Sequence, residues 1–394
     1  MSLDFKQLHQ QVKQLGENAV IRQKHLQNLR VTARELLNQN AERASQLRKK
    51  VLMVARNVDP DIRCALPLNE ALNTSFPLPD LPNTATVIAA DGSQINPNRH
   101  AEVNYCVINV GAIQMSYSSS TPPRPTIYSE LLYDEKLYTP RGMLTEGLVA
   151  LTRDLNERQV FVELAKEASE NPVITFTDGP MELWGAKEPP GSLTFQESLH
   201  KYLKILTQLQ KLNVITAGYV DKPSADLVIR LLEVAMTPEP DLENIRTSRP
   251  LRGVTDRDLF AQILSEGKRS AMFSLQSKSA KEYSGPLALH FFYLNVGQHD
   301  HGWIVRVEIP AWVAEDATML EALHAILIHQ CRILGGRAYP YLLHRAHEVA
   351  VVHRDEKEQL TQMIIQELRR RGVQVGEKSQ KQAVKDLPGR TSYG

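Results

Sequence analysis

Residues 84–97, TATVIAADGSQINP, decide how this chain is read. A run of β-branched and small apolar residues reaches Asp91 and is followed at once by Gly92. Such a run reads as a buried strand, and an Asp–Gly pair behind it reads as the strand's end. On the C-terminal side, VNYCVINVGAIQMSY (103–117) continues as one or two further strands, SSSTPPRP (118–125) as a loop and TIYSELLYDEKLY (126–138) as extended chain. Thr145 to Ser169 carries Leu148, Leu151, Leu155, Val160, Phe161 and Leu164 at helical spacing. The opening pattern then returns: VITFTDG (173–179) is a second apolar run closed by Asp178–Gly179. A helix over Phe195 to Leu212 leads to the strand NVITAGYVDK (213–222). Strand, helix, strand, helix, strand is the pattern of an α/β sheet. Further on, FFYLNV and WIVRVEIPAW read as two antiparallel strands joined by GQHDHG. Helices are expected near Thr318 to Leu334 and Glu356 to Arg371.

The flanks differ in kind. Phe5, Leu8, Val12, Leu15 and Ala19 step by three and four, and the seam resumes at Leu26, Leu29, Ala33 and Leu36. A shifted seam runs through Ala44, Leu47, Val51 and Val54. Residues 1–57 are thus expected to be a long helical arm, packed on its own domain or paired with a second copy or partner. Residues 58–84 hold Pro60, Pro67, Pro77, Pro79 and Pro82 and read as a linker. The main domain is expected over 85–375, and 376–394, poor in apolar residues, as a flexible tail. With 46 Lys and Arg against 45 Asp and Glu, the formal charge is +1, so net charge does not mark a nucleic-acid binder. Three dispersed cysteines exclude a disulfide framework and fit a cytoplasmic protein. The polar N-terminus is not a secretory signal, and no apolar run nears the roughly 18 residues that span a bilayer, so no membrane partner is expected.

In an open α/β sheet, ligands gather beyond the carboxyl ends of strands. Asp91 and Asp178 are therefore candidates to hold a cation, with a pair of ordinary Asp–Gly turns as the alternative. Between them, Glu157 shares a helix face with Val160, Phe161 and Leu164, which turns a carboxylate inward. A carboxylate there needs a cation or a positive partner, and Arg153, one turn back, is the simple partner. Three converging carboxylates would suit one or two Mg²⁺ or Mn²⁺ ions, which in pairs clamp a phosphodiester during hydrolysis. Near the C-terminus, in GGRAYPYLLHRAHEVAVV (335–352), Pro340 fixes a turn after Tyr339, and 342–352 continues as helix or strand. His347 is a candidate ligand or proton-transfer group, and Tyr339 could orient a phosphate.

Asp–Gly–Ser after a strand, a helical acid, a second strand ending Asp–Gly and a Tyr-Pro…Ala-His-Glu segment with Tyr339 and His347 eight apart together resemble the NurA nuclease family. The resemblance covers roughly 85–355. It implies an RNase H-like mixed sheet flanked by helices, and a metal-dependent deoxyribonuclease that uses Mn²⁺ or Mg²⁺ and acts in DNA end processing and repair. It further implies a homodimer working beside a HerA-type hexameric ATPase. It makes Asp91, Glu157, Asp178 and His347 the metal-binding residues, Tyr339 a support and Lys222 a stabiliser of phosphate charge. Glu163 or Glu130 are alternative helical acids. The second motif departs from the pattern, reading Asp–Gly–Pro where the family has Asp–Gly–Ser.

Arg246, Arg249, Arg252 and Arg257, followed by Lys268, Arg269, Lys278 and Lys281, are candidate phosphate contacts, although acids are interspersed. Two other readings stand beside the nuclease. One is a catalytically impaired subunit that clamps DNA for an ATPase, which the Asp–Gly–Pro favours. The other is a zinc hydrolase on His299, His301, His344 and His347, disfavoured by the lack of HExxH. No GxxxxGK[ST] loop occurs, so the chain is not expected to hydrolyse ATP.

Overall fold

The computed structural model describes residues 3–118, 121–140, 142–183, 193–298, 302–335 and 337–375. Along the chain the helices are α1 (Phe5–Gln39), α2 (Ala44–Asn57), α3 (Glu146–Glu167), α4 (Leu193–Lys211), α5 (Leu227–Met236), α6 (Asp256–Phe260), α7 (Ala311–Ala314), α8 (Ala317–Ile333), α9 (Tyr341–Ala350) and α10 (Arg354–Arg370). The strands are β1 (Cys64–Pro67), β2 (Ser75–Phe76), β3 (Thr86–Ile95), β4 (Cys106–Ser116), β5 (Arg124–Leu132), β6 (Tyr138–Thr139), β7 (Gly142–Met143), β8 (Val173–Asp178), β9 (Ile215–Val220), β10 (Arg269–Ser270), β11 (Phe273–Gln276), β12 (Leu289–Asn295) and β13 (Ile304–Pro310). They fall into two compact units, one of Asn83–Asp178, Leu183–Thr216 and Tyr341–Gly394, the other of Met1–Pro82, Gly179–Glu182 and Ala217–Pro340.

The first unit is a mixed sheet in the order β8-β3-β4-β5, flanked by helices. β3 is antiparallel to β4 from Thr86↔Ser116 to Ile95↔Val107, and β4 antiparallel to β5. β8 runs parallel to β3, with Ala90 opposite Thr177. A parallel neighbour needs a crossover, and α3 provides it. Thr145 caps α3 by accepting from the Leu148 N–H at 3.1 Å. β9 opens beside β8, where the Thr175 hydroxyl donates to the Thr216 hydroxyl at 2.8 Å.

One expectation fails here. The first strand does not end at Asp91, because Asp91, Gly92 and Ser93 stay paired with Gly111, Val110 and Asn109 through to Ile95. Ladder hydrogen bonds along a long partner outweigh the local turn preference of Asp–Gly. Only the second pair closes its strand, with Gly179 at φ 94°. The segment left open as helix or strand is the helix α9.

The second unit holds the strand order β1-β11-β12-β13 and the end of β9. Its core stacks Phe260 on Tyr293, with ring centroids 4.6 Å apart, and Phe273 on Phe291 at 5.7 Å. The stretch expected to be a linker is not one. Cys64–Pro67 is buried throughout and pairs with β11, and β2 pairs with β10. The expected arm also belongs to this unit and is two helices. In α1 only Ala33 and Leu37 are buried, while Phe5, Val12 and Leu15 are exposed. The proposed tail, 376–394, lies outside the described residues.

Candidate functional site

Strand alternation places Asp91 and Ser93 on one face of β3 and Gly92 on the other. On the first face stands α9. His347 Nδ1 lies 2.7 Å from Asp91 Oδ2, while Asp91 Oδ1 accepts from the Gly92 N–H at 2.8 Å. With Nδ1 facing a carboxylate, Nε2 is the ring nitrogen left for a ligand or a proton. Asp91 keeps 24% of its side-chain surface exposed and His347 64%, so the pair is open to solvent. Asp178, the last residue of β8, follows Thr177, the partner of Ala90, and the register therefore sets it beside Asp91 within the parallel strand β3.

On the opposite face stands α3. A Cβ on Gly92 would lie 2.6 Å from Glu157 Oε1 and 2.5 Å from Arg153 Cγ, so the absent side chain is what admits both. Glu157 is buried. Arg158 Nη1 donates to its Oε2 at 2.9 Å, and Arg153 Nε lies 3.4 Å from Oε1. Burial pushes the Glu157 carboxyl up to about 7; Arg158 opposes that, Asp154 adds to it, Arg153 opposes it and Asp91 adds to it. Arg153 is divided, since its Nη2 donates to Asp154 at 2.8 Å. Asp91 and Glu157 thus feel each other's charge from the two sides of one strand. Arg153 was foreseeable from its helical spacing. Arg158 was not, because neighbours on a helix do not share a face and only a long side chain curls back.

The other expected residues are placed as follows. Lys222 and Tyr339 belong to the second unit. Lys222 Nζ lies 5.0 Å from the centre of the Trp303 ring, at a residue with φ 45°, and Tyr339 meets Tyr219 edge to face at 5.6 Å. Glu130 and Glu163 line a separate groove of about 410 Å³ with Tyr128, Asn156 and Gln159. Arg249 is engaged by Glu233 and Asp226, and Arg269 by Glu70, so these two cations of the basic stretch hold the fold together. His299 and His301 lie outside the described residues, and His344 Nε2 is 3.4 Å from Glu348.

Among the described residues, no three of His, Cys, Asp and Glu are gathered at metal-ligating distance. Glu157, which approaches from the side of β3 away from Asp91, is one of the donors held apart. The donor chemistry still fits a hard divalent cation: carboxylate oxygens and one imidazole, with Asp91, Asp178 and His347 on one side.

A β8-β3-β4-β5 sheet with a helical crossover defines an RNase H-like protein. The chain belongs to the NurA domain family, whose sequence model matches residues 85–352, more than half of the chain. Among solved structures it is similar to the NurA nuclease from Sulfolobus solfataricus, at 10% identity and TM-score 0.47, covering 75% of this chain and 87% of that one. A NurA with manganese gives 9% identity and TM-score 0.43, covering 74% and 91%. A NurA bound to dAMP and manganese gives 11% and 0.35, covering 90% and 98%. No curated protein matches the chain.

Proposed function

We propose that this protein is a metal-dependent DNA nuclease. The observation that carries the reading is the Asp91–His347 contact of 2.7 Å between residues 256 apart, with Asp178 in register on the adjoining strand. Asp91, Asp178 and His347 would hold Mn²⁺ or Mg²⁺, and Glu157, from the other face of β3, would add negative charge to the site. A bound divalent cation supplies the positive charge that polarises a phosphodiester and acidifies water. Asp91 orients His347 through Nδ1, so that Nε2 can ligate or accept a proton. By the resemblance to the NurA family, Lys222 would offset charge on a phosphate and Tyr339 would orient one through its hydroxyl. By the resemblance to that family, the protein would act in DNA end processing and repair, as a homodimer beside a HerA-type ATPase. Three unpaired cysteines fit the cytoplasm.

Asp91→Asn is expected to lower Mn²⁺-dependent cutting of a labelled single-stranded oligonucleotide by roughly 100-fold or more, with folding and DNA binding retained. Full activity in the purified variant would end the assignment. The second reading, a DNA clamp without catalysis, is favoured by Pro180, which leaves the second motif without the usual hydroxyl. No metal-dependent product across a Mn²⁺ titration of the wild-type protein would favour the clamp.

A further inference from the structure

The carbonyls of a helix's last turn have no partner within the helix, and the last residue of α9 is Ala350. Its carbonyl oxygen accepts two side-chain bonds, one from the Ser93 hydroxyl and one from Asn109 Nδ2 at 2.8 Å. Asn109 is only 6% exposed, and its Oδ1 in turn accepts from the Ser129 hydroxyl at 2.6 Å. Three adjacent strands, β3, β4 and β5, thus each contribute one residue to a chain of bonds ending on one carbonyl. Beside it, Gly111 lets the backbone of α9 lie directly on β4: a Cβ there would stand 2.6 Å from the Ala350 nitrogen and 2.8 Å from the Val349 carbonyl carbon.

The spacing gives this anchor its meaning. Asp91 and Ser93 are two apart on one face of β3, a span of about 6.6 Å. His347 and Ala350 are three apart on α9, a rise of about 4.5 Å. Strand and helix therefore meet at two matched points, Asp91 with His347 and Ser93 with Ala350. Leu342, Leu343 and Ala346 bury the apolar side of α9, and the two polar points add to that packing a fixed azimuth and height on the strand. The serine of Asp–Gly–Ser is committed to the helix end by this bond. Asp–Gly–Pro at 178–180 ends its strand, and Pro180 offers no hydroxyl for a comparable bond.

We propose that Ser93 and Asn109, with Ser129 behind Asn109, are positioning residues that hold the carboxyl end of α9 on the sheet and thereby present His347 to Asp91. For its catalytic consequence the proposal rests on the nuclease reading; for the anchor itself it does not. The test is the double variant Ser93→Ala/Asn109→Ala in the full chain, with three readouts: amide hydrogen exchange along 341–350, Mn²⁺ binding followed by the free-ion electron paramagnetic resonance signal, and cutting kinetics. The expected result is exchange at least 10-fold faster in α9, Mn²⁺ affinity reduced several-fold, and kcat reduced at least 10-fold with KM within 2-fold. Ser93→Thr, which keeps the hydroxyl, should restore all three when combined with wild-type Asn109. Exchange in α9 at the wild-type rate in the double variant overturns the proposal. Faster exchange with wild-type Mn²⁺ affinity and kcat overturns the positioning role as well. Faster exchange in a chain whose wild type neither binds Mn²⁺ nor cuts supports the anchor and removes the nuclease reading instead. Should the double variant not fold, Ser129→Ala removes only the bond that orients Asn109, and the same changes are expected in smaller measure.

Discussion

Glu157 and Glu233 are both buried helical carboxylates flanked by two arginines, yet their surroundings differ. Glu233 receives Arg230 Nη1 and Arg249 Nε at 2.8 Å each, and the Leu251 N–H donates to it at 3.0 Å. Both carboxylate oxygens are met, and Asp226 shares Arg249. Glu157 has one short bond, from Arg158, and a longer approach from Arg153, which is drawn off by Asp154. Asp91 and Asp154 add negative charge to its surroundings. A carboxylate kept for the fold is saturated by donors, whereas Glu157 is left short of positive charge beside another acid. That deficit is what a cation would relieve.

The comparison breaks most decisively under paired neutralisation. Glu233→Gln leaves Arg230 without its anion in the core and Arg249 with Asp226 alone, and is expected to cost about 3–5 kcal/mol of stability, read by urea unfolding. Glu157→Gln removes a carboxylate that burial already disfavours, so it is expected to leave the protein at least as stable at pH 8 while weakening Mn²⁺ binding. Equal destabilisation by both substitutions would mean that the two sites are alike and structural.

A pH scan of metal-free protein sharpens the same contrast. The Glu157 carboxyl sits at about 7 in the folded chain against 4.5 for an ordinary glutamate. Between those values the unfolded chain binds fewer protons than the folded one, so stability falls as pH rises. The Glu157 contribution should be full below about pH 4.5, decline to about pH 7 and level off above, a loss of about 3 kcal/mol. Glu157→Gln should remove that part of the slope. An unchanged slope in the variant would show that the carboxylate is neutralised by its arginines, as Glu233 is by its own.

How much of this was legible depended on distance along the chain. The spacing of Leu148, Leu151, Leu155 and Leu164 fixed α3, and the inward face of Glu157 followed from it. Asp91 and Asp178 could be singled out because each closes an apolar run. What failed was whatever depends on partners far away. Cys64–Pro67 looked like linker because its proline is visible locally, whereas its mate, Phe273–Gln276, is not. Asp91–Gly92 looked like a turn because nothing nearby announces the ladder to β4. The link from Ser93 to Ala350 spans 257 positions and has no periodicity to betray it.

Gly92 gives the smallest and most local test. Its φ is not in the left-handed region, so alanine is tolerated by the backbone and only the space on the α3 side is at issue. The new methyl would stand 2.6 Å from Glu157 Oε1, the movable end of a side chain, and 2.5 Å from Arg153 Cγ, which is less free to shift. Gly92→Ala is therefore expected to cost about 1 kcal/mol, at the low end for overpacking, by pushing Arg153 outward and loosening its hold on Glu157. Mn²⁺-dependent cutting should change by only a few-fold, because Asp91, Asp178 and His347 act from the other face of the strand. A loss as deep as that of Asp91→Asn would instead mean that Glu157 must reach past Gly92 to the Asp91 side for the reaction, and that the two faces of β3 work as one site.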